Sequence, residues 1–502
     1  LPTPMGPAIP IFSPWYTVME IFVRIGRRAR RFDMFWSSTT AGLFVRRTVG
    51  RLYRMSVAKT TISSLLFSVL IIVLLLSIIH VFVIPIPIRP RTTIGWLMVL
   101  IGGLFVGVFA RGWKQYLLNH EERKLNDVVV VAYLLINLIS LLVSDAIFDT
   151  FNIRLLFAAV LLYFTVQKFK PTQDQKKFLL HAIGVFTIFL ASLSLFHLLL
   201  PGLFNYISVN YFSARNPDGS LNYGLLRDYM RGRLFPWGAV IMSFPAFYAS
   251  SILLRKTRRR LSVPYFVVGF IILVFSMVSS NFRWTVLCFV TGSFIFFRIE
   301  FMNRILSLRT IMTVMMPFIV SILLSLGIGR VYLGYNLLDR ILLKNPNRDV
   351  TEAFGRVHLF NQAINLSLVS PLTGVGIGNY LYFVEPYYYL RYFTKLDQVE
   401  VVTSPSASHN ELITILAESG IFGLILFILF IYLTIKKIII LFFLEHHLFT
   451  DTDRVLLLSI LVSYITFFFY SLFENISFHN YVYIFALSGI VFSWFPVRKA
   501  KL

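Results

Sequence analysis

The residues best suited to chemistry in this sequence are a histidine and several arginines at the boundaries of long apolar segments. His409 lies in Ser404-Pro-Ser-Ala-Ser-His-Asn-Glu411, directly before an apolar run. Arginines stand at comparable boundaries at four positions, Arg231, Arg233, Arg283 and Arg356. Arginine grips phosphate or carboxylate through paired hydrogen bonds, and histidine exchanges a proton near neutral pH. The combination indicates a site that holds a multiply charged anion and moves a proton.

Group transfer away from a lipid-linked diphosphate is the reaction that this set of residues suits. The arginines would neutralise charge on the departing diphosphate, and His409 would activate or orient an acceptor hydroxyl. Asn410 and Glu418 follow on the same segment as possible supporting residues. Glu418 falls about two and a half helical turns into the apolar run, so we expect it to be buried and either neutral or paired.

Each arginine also has a purely structural interpretation. At the end of an apolar segment, Arg283 could extend to the lipid headgroups. Arg231 and Arg233 could bind lipid phosphates without specificity, and Arg356 could pair with a loop carboxylate. The sequence leaves both interpretations open for these residues.

His409 and the acidic residues have structural alternatives as well. His409 could cap the helix that follows it, and Glu418 could serve the packing alone. Asp145 and Asp149 are four residues apart near the end of an apolar run, but no cluster has convincing metal-ligand spacing. We therefore predict no metal site and no cofactor.

The composition indicates a polytopic membrane protein. The 502 residues are 57% hydrophobic and 14% charged, with a mean hydropathy of +0.75; a soluble domain is about 45–50% apolar and about 25% charged. Cys288 is the single cysteine, which excludes an internal disulfide. The net charge of +24 would indicate nucleic acid in a soluble protein. In a membrane protein, basic residues that orient the helices explain this positive charge better, so no nucleic-acid partner is expected.

Hydropathy predicts an all-α bundle of about twelve transmembrane helices. The predicted spans are 62–84, 93–110, 128–148, 153–167, 178–200, 234–254, 262–281, 282–298, 310–328, 411–435, 455–473 and 481–496. A segment of about 80 residues, Gly329–Ser408, separates spans nine and ten and is expected to form a small extramembrane structure. Within it, the pattern predicts an amphipathic helix at Val357–Val369 and a glycine-rich turn at Pro371–Tyr380.

Basic residues fix the predicted orientation of these spans. With the N-terminus inside, 32 of the 47 Lys and Arg residues fall on inner segments, against 10 of the 23 acids. The block Arg255–Arg260 is the clearest inner anchor. Both termini are then cytoplasmic, and the candidate site faces outward. Four domains follow: a basic amphipathic cytoplasmic segment 1–60, spans one to nine over 61–328, a catalytic outer loop 329–408, and spans ten to twelve over 409–502.

Three stretches together resemble the O-antigen ligase and polymerase superfamily. They are an arginine opening a loop helix in Gly355-Arg-Val-His358, the turn Pro371-Leu-Thr-Gly-Val-Gly-Ile-Gly-Asn-Tyr380, and the His409-Asn410 pair with Glu418-Ser-Gly-Ile-Phe-Gly423 after it. Arg283 is similar to the arginine that this family places at the outer end of a span. Arg231 or Arg233 resembles its arginine before a Gly/Pro-rich span start.

The resemblance implies a membrane glycosyltransferase of the bacterial inner membrane, with a role in lipopolysaccharide or other envelope polysaccharide synthesis. The donor would be a glycan on undecaprenyl diphosphate. The acceptor would be a lipid A core sugar, another lipid-linked repeat unit or a protein hydroxyl. The family is metal-independent, and its ligases are thought to invert the anomeric centre. Catalytic roles would fall to His409, Arg283 and Arg356, with Arg231 and Arg233 also binding the diphosphate.

Three other functions compete with glycan ligation. A repeat-unit polymerase would use the same loop chemistry. An anion or polysaccharide transporter should show inverted repeats and broken helices near the bilayer midplane, whereas the charges here lie at an outer boundary. A structural scaffold would not need converging arginines and a histidine.

Overall fold

A computed structural model gives the architecture. It describes residues 64–77, 90–109, 124–144, 151–200, 237–257, 259–279, 283–300, 323, 359–380, 383, 391–394, 398–401, 408–444, 448–473 and 478–495. The chain divides into two compact units, residues 1–65 and 66–502. All but two residues of the first unit fall outside the described ranges, among them the predicted amphipathic segment 1–60.

The described part of the chain is helical apart from one short hairpin. The helices are α1 (Ser64–Ser77), α2 (Pro90–Phe109), α3 (Lys124–Val143), α4 (Phe151–Val166), α5 (Gln173–Leu199), α6 (Trp237–Thr257), α7 (Arg259–Ser279), α8 (Arg283–Glu300), α9 (Leu359–Val369), α10 (Glu411–Ile439), α11 (Asp451–Ser471) and α12 (Phe478–Ser493). A π-helical stretch, Ile440–Leu444, extends α10. Strands β1 (Arg391–Thr394) and β2 (Gln398–Val401) pair antiparallel.

The predicted all-α class is confirmed for the helical bundle. Each predicted span except the ninth contains a helix in the part of the chain that the structure describes; the ninth, 310–328, lies outside it except for Leu323. Four helices in the described ranges are long and apolar enough to cross a membrane: Leu125–Val143, Arg260–Met277, Glu411–Phe443 and Asp451–Ser471. The full count of twelve stays a prediction.

The hairpin is a departure from the all-α prediction. Its two strands, RYFT and QVEV, are rich in the aromatic and β-branched residues that favour extended structure. Three residues separate them, a length typical of hairpin loops. The apolar runs and turn motifs that predict the helices give no indication of strands only four residues long.

Helix α6 is the centre of one half of the bundle. It packs against α5, α7, α8 and α11, and residues 240–251 are all buried. Hydroxyl groups join the helices: Thr187 of α5 donates to Ser243 at 2.9 Å, and Ser463 of α11 donates to the Met242 carbonyl at 2.6 Å. Gly292 of α8 lets the Phe244 ring approach. Small residues and polar contacts of this kind hold membrane helices together.

The other half of the bundle packs α10 against α3, and α12 against α4. Aromatic rings fill these interfaces. Phe430 of α10 stacks on Phe485 of α12 with ring centroids 4.4 Å apart, and Phe427 lies 5.8 Å from Tyr133 of α3. Helix α10, which follows His409 directly, is therefore held from two sides.

A buried ion pair closes the end of the bundle at which α5 and α11 begin. Lys176 Nζ lies 2.7 Å from Asp453 Oδ1, with both side chains about 6–7% exposed. Lys176 also donates to the Trp494 carbonyl and lies over the Phe495 ring. All four residues come from segments predicted on the cytoplasmic side or from the inner end of a span. The observed contacts thus agree with the predicted alternation of the spans.

Removing this buried lysine should destabilise the bundle. Lys176→Met would leave the Asp453 carboxylate buried without its cation, which typically costs about 3–5 kcal/mol. Lys177→Met is the matched control, because Lys177 pairs with Asp174, whose side chain is 93% exposed, and exposed pairs contribute about 0–1 kcal/mol. Thermal unfolding of the detergent-solubilised protein measures both. Equal midpoints for the two variants would contradict a structural role for the buried pair.

Candidate functional site

The central feature of the candidate site is a break in α10. Gly420 has φ +65° and ψ −172°, which is not helical, in the middle of the helix. The carbonyls of Ala417 and Glu418 accept hydrogen bonds from the backbone N–H groups of Val375 and Gly376, each at 2.9 Å. In return, the N–H of Ile421 donates to the Pro371 carbonyl at 2.9 Å. The turn Pro371–Tyr380, called the glycine turn below, is therefore docked into the broken helix.

The glycine turn needs its glycines for both conformation and space. Gly374, Gly376 and Gly378 have φ of +73°, +99° and +83°, in the left-handed region that side chains with a Cβ disfavour. A Cβ on Gly374 would overlap the Glu418 carbonyl, and one on Gly420 would overlap the Leu372 carbonyl. The predicted glycine-rich turn is confirmed, and its glycines permit close backbone contact with α10.

Helix α3 holds the opposite side of the glycine turn. Ser140 Oγ donates to the Glu418 carbonyl at 2.6 Å, and Ser144 Oγ donates to the Val375 carbonyl at 2.7 Å. Asn379 is fully buried, and its Nδ2 donates to Ser144 Oγ at 3.2 Å. From Gly374 to Tyr380 the turn thus lies between α10 and the end of α3, whereas Pro371 and Leu372 are exposed.

The glycine turn does not present its N–H groups as a phosphate cradle. The N–H groups of Gly374, Val375, Gly376, Asn379 and Tyr380 all donate to protein acceptors. A phosphate-binding loop instead directs several such groups at the ligand. The turn is therefore a structural insertion into α10.

Two glutamates occupy the buried face of α10 beside this insertion. Glu418 is 5% exposed, which confirms the expected burial, and its Oε1 accepts a hydrogen bond from the Tyr380 N–H at 3.2 Å. Glu411 is 2% exposed and accepts a hydrogen bond from the Tyr481 hydroxyl of α12. Sequence analysis missed Glu411, although its place seven residues before Glu418 puts both on one helix face.

Asn410, and not His409, caps α10. Asn410 Oδ1 accepts from the Ile413 N–H at 3.0 Å, and its Nδ2 donates to the Leu472 carbonyl at 3.0 Å. The capping alternative for His409 is therefore wrong. The physical reason is that the cap side chain must accept from the third residue after it, a spacing that Asn410 satisfies here.

His409 lies just outside the helix in an unusual conformation. Its φ is +55°, the left-handed region that few residues other than glycine adopt, and it is half-buried. Backbone outliers of this kind concentrate at functional sites. The residues on either side are held by hydrogen bonds: Ser408 Oγ lies 2.6 Å from Thr414 Oγ1, and Asn410 bonds α11.

The structure describes the predicted arginines only in part. Helix α8 begins at Arg283 and packs on α11, with Gly292 beside Thr466. It runs parallel to α6, and α11 runs antiparallel to α6, so the first turn of α8 lies towards the end of α11. Asn410 bonds Leu472 at that same end. Arg231, Arg233 and Arg356 lie outside the described residues, as do Asp145 and Asp149. Across the described residues, no three His, Cys, Asp or Glu side chains are grouped to hold a metal ion.

Filling the contact between the glycine turn and α10 should disrupt the site. Gly374→Ala would force a left-handed φ on alanine and overlap the Glu418 carbonyl, so we expect a loss of about 2–4 kcal/mol of stability. Gly102→Ala in α2 is the matched control, because a Cβ there meets nothing within 4 Å. Thermal unfolding of both purified variants measures the difference. A Gly374 variant as stable as the Gly102 variant would contradict the docked arrangement.

Comparison with protein families gives a match that covers part of the chain. Residues 267–428, about a third of the chain, match the family model described as O-antigen ligase. The matched region contains α8, the glycine turn, His409 and the break in α10. No curated protein matches the chain significantly. The family match confirms the resemblance to the O-antigen ligase superfamily that the sequence motifs indicated.

Proposed function

We propose that this protein transfers a glycan from undecaprenyl diphosphate to an acceptor hydroxyl at the outer face of the bacterial cytoplasmic membrane. The observation that carries the proposal is the family match over residues 267–428, which encloses the start of α8, the glycine turn and the His409–Asn410 pair. The long apolar helices support a membrane location. The partners are then the lipid-linked donor, the glycan acceptor and membrane lipids.

The proposed reaction needs one proton transfer and one leaving group. His409 takes the proton from the acceptor hydroxyl, and the hydroxyl oxygen bonds to the anomeric carbon. The bond from that carbon to the diphosphate oxygen breaks, and the electron pair leaves with undecaprenyl diphosphate. Attack on the face opposite the diphosphate inverts the anomeric centre. No metal and no cofactor enters this scheme.

The arginines stabilise the charge that builds up on the diphosphate. Arg283 and Arg356 are proposed as the catalytic pair, with Arg231 or Arg233 as a further contact. A guanidinium suits this role because its donors match two phosphate oxygens at once. Asn410 acts by holding the first turn of α10, and Glu418 by holding the glycine turn.

A repeat-unit polymerase is the alternative within the same superfamily. Donor, leaving group and base would be the same, and the acceptor would be another lipid-linked repeat unit. The family match supports both reactions equally. The choice depends on the acceptor, so the deciding experiment offers purified enzyme one lipid-linked donor with several acceptors: a lipid A core, a second repeat unit and a protein.

The break in α10 favours one other candidate, a transporter. Broken helices are typical of transporter binding sites, and the sequence analysis did not expect one here. In transporters, however, the freed backbone groups line a cavity and bind the substrate. At Gly420 the freed carbonyls accept from Val375 and Gly376, so this break is filled by the chain itself. We therefore retain the enzyme as the proposal.

Orientation in the membrane forms part of the proposal. Both termini lie in the cytoplasm, and the active site lies on the periplasmic or extracellular side. The support is the 32 of 47 basic residues on the predicted inner segments. The buried pair of Lys176 and Asp453 joins two of these inner segments, at the end of the bundle away from Asn410.

Replacement of His409 should abolish transfer while donor binding remains. His409→Ala, His409→Gly and His409→Asn all remove the imidazole, so we expect transfer to fall by at least about 100-fold in each, the scale of general-base catalysis. Glycine and asparagine tolerate the left-handed conformation that His409 adopts. A loss of transfer in these two variants therefore comes from the missing imidazole and not from backbone strain. Donor binding and transfer are measured in parallel with purified lipid-linked glycan. Wild-type transfer by the glycine or asparagine variant would remove the general-base role.

Replacement of Arg283 by lysine should impair catalysis although the charge is kept. Lysine lacks the fork that binds two phosphate oxygens, so we expect transfer to drop about 10- to 1000-fold, as for loss of one transition-state donor. Arg298→Lys is the matched control because Arg298 is an exposed residue in the last turn of the same helix. Transfer at the control's rate by Arg283→Lys would exclude the diphosphate-clamp role.

A further inference from the structure

The exposed face of α9 changes character along the helix axis. Its polar members, Asn361 and Asn365, lie before the last turn of the helix, with Ile364, which is 41% exposed, between them. Its strongly apolar members lie at the end of the helix and in the turn that follows: Leu368, Val369 and Leu372 are 69%, 62% and 56% exposed. A helix lying flat on a surface would instead separate polar from apolar residues around its circumference.

The opposite face of α9 is fixed against the glycine turn and the start of α10. Ala363 and Leu366 are buried in a small hydrophobic cluster with Val375, Tyr380 and Ala417. This cluster determines which face of α9 points outward. The exposure of the apolar end therefore does not arise from a loosely placed helix.

The depth of the apolar end follows from its contact with α10. Pro371 bonds Ile421, and the Leu372 carbonyl lies against Gly420. The apolar part of α10 runs from Leu412 to Ile435, so Gly420 lies about 12 Å along it at 1.5 Å per residue. The hydrocarbon core is about 30 Å thick, which places this contact well inside the outer half of the membrane when α10 crosses it.

The apolar end of α9 is also continuous with the outward face of α10. Ile421, Phe422 and Ile425 are 37%, 49% and 52% exposed within a helix apolar and long enough to span a membrane. Leu372 adjoins the first of them. One apolar surface, made of residues from both segments, thus faces away from the bundle at the same depth.

We propose that α9 and the glycine turn form a re-entrant element, and that the end of α9 contacts the acyl chains of the outer leaflet. The chain enters the membrane along α9 and turns at the break in α10. The partner of the exposed face is lipid hydrocarbon, and its polar beginning remains in water. This amends the expected extramembrane structure of residues 329–408 and does not depend on the reaction that the protein catalyses.

Such an element can lie in a membrane because its backbone N–H groups have hydrogen-bond partners within the protein. Non-helical backbone at membrane depth is tolerated only where protein or an aqueous cavity covers its polar groups. The N–H groups of Gly374, Val375 and Gly376 all donate to protein carbonyls. These three donors are therefore covered, the exposed side chains at this depth are apolar, and the half-buried hydroxyls of Ser370 and Thr373 bond each other at 3.1 Å.

Spin labels on α9 test the proposal in the full-length protein. A Cys288→Ala background accepts single cysteines at Asn361, Asn365, Leu368, Val369 and Leu372, and the labelled monomers are placed in lipid nanodiscs. We expect labels at 368, 369 and 372 to collide with oxygen more than with a water-soluble nickel chelate, as a label at Ile425 on α10 should. Labels at 361 and 365 should collide mainly with the nickel chelate, as one at the exposed Asp174 should.

Two outcomes would overturn the proposal. Access of the nickel chelate to 368, 369 and 372 at the level of 361 and 365 would place the whole helix in water. Low access of both quenchers at these three positions would mean that protein, and not lipid, covers them. As a second measurement, a water-soluble maleimide added to intact membranes should modify cysteines at 361 and 365 at least ten times faster than those at 368, 369 and 372, and detergent should remove the difference.

Discussion

The rest of the candidate site depends on how the backbone groups freed by the break in α10 are satisfied. A buried carbonyl or N–H without a partner costs several kcal/mol in an apolar medium. At Gly420 the chain meets this constraint by inserting another segment: Val375 and Gly376 supply donors, and Pro371 supplies an acceptor. Removing the glycine turn would expose three backbone groups at once. The turn is therefore as fixed as a helix would be, although it has no regular structure.

This constraint joins the two regions that carry the predicted chemistry. The glycine turn continues backward into α9, which begins three residues after Arg356, and α10 begins two residues after His409. Locking the turn into α10 therefore sets how far apart the two chain segments lie. Helix α3 adds a third support, because Ser140 and Ser144 bond the helix and the turn respectively. A reaction that needs a phosphate grip and a proton acceptor at a fixed separation benefits from such a rigid connection.

Hydropathy and local motifs were enough to predict the helix positions, the glycine-rich turn and the burial of Glu418. They could not predict contact partners, because periodicity specifies a face and not what covers it. Ser140 and Glu418 are 278 residues apart in the sequence, and no local pattern relates them. Gly420 was part of a recognised motif, yet a single glycine within an apolar run gives only a weak indication of a break. The β1–β2 hairpin escaped notice because its strands are only four residues long.

Contacts from three helices hold the chain around His409 in its left-handed conformation. A left-handed backbone costs a non-glycine residue about 1–2 kcal/mol, so it persists only where neighbouring contacts enforce it. Those contacts come from different elements: Asn410 bonds the end of α11, and Glu411 accepts from Tyr481 of α12. Ser408 bonds Thr414 within α10. A proton acceptor held in this way would approach its partner in one orientation. The bundle thus holds the residues on either side of the histidine, and the docked turn holds α9, which begins three residues after Arg356 in the sequence.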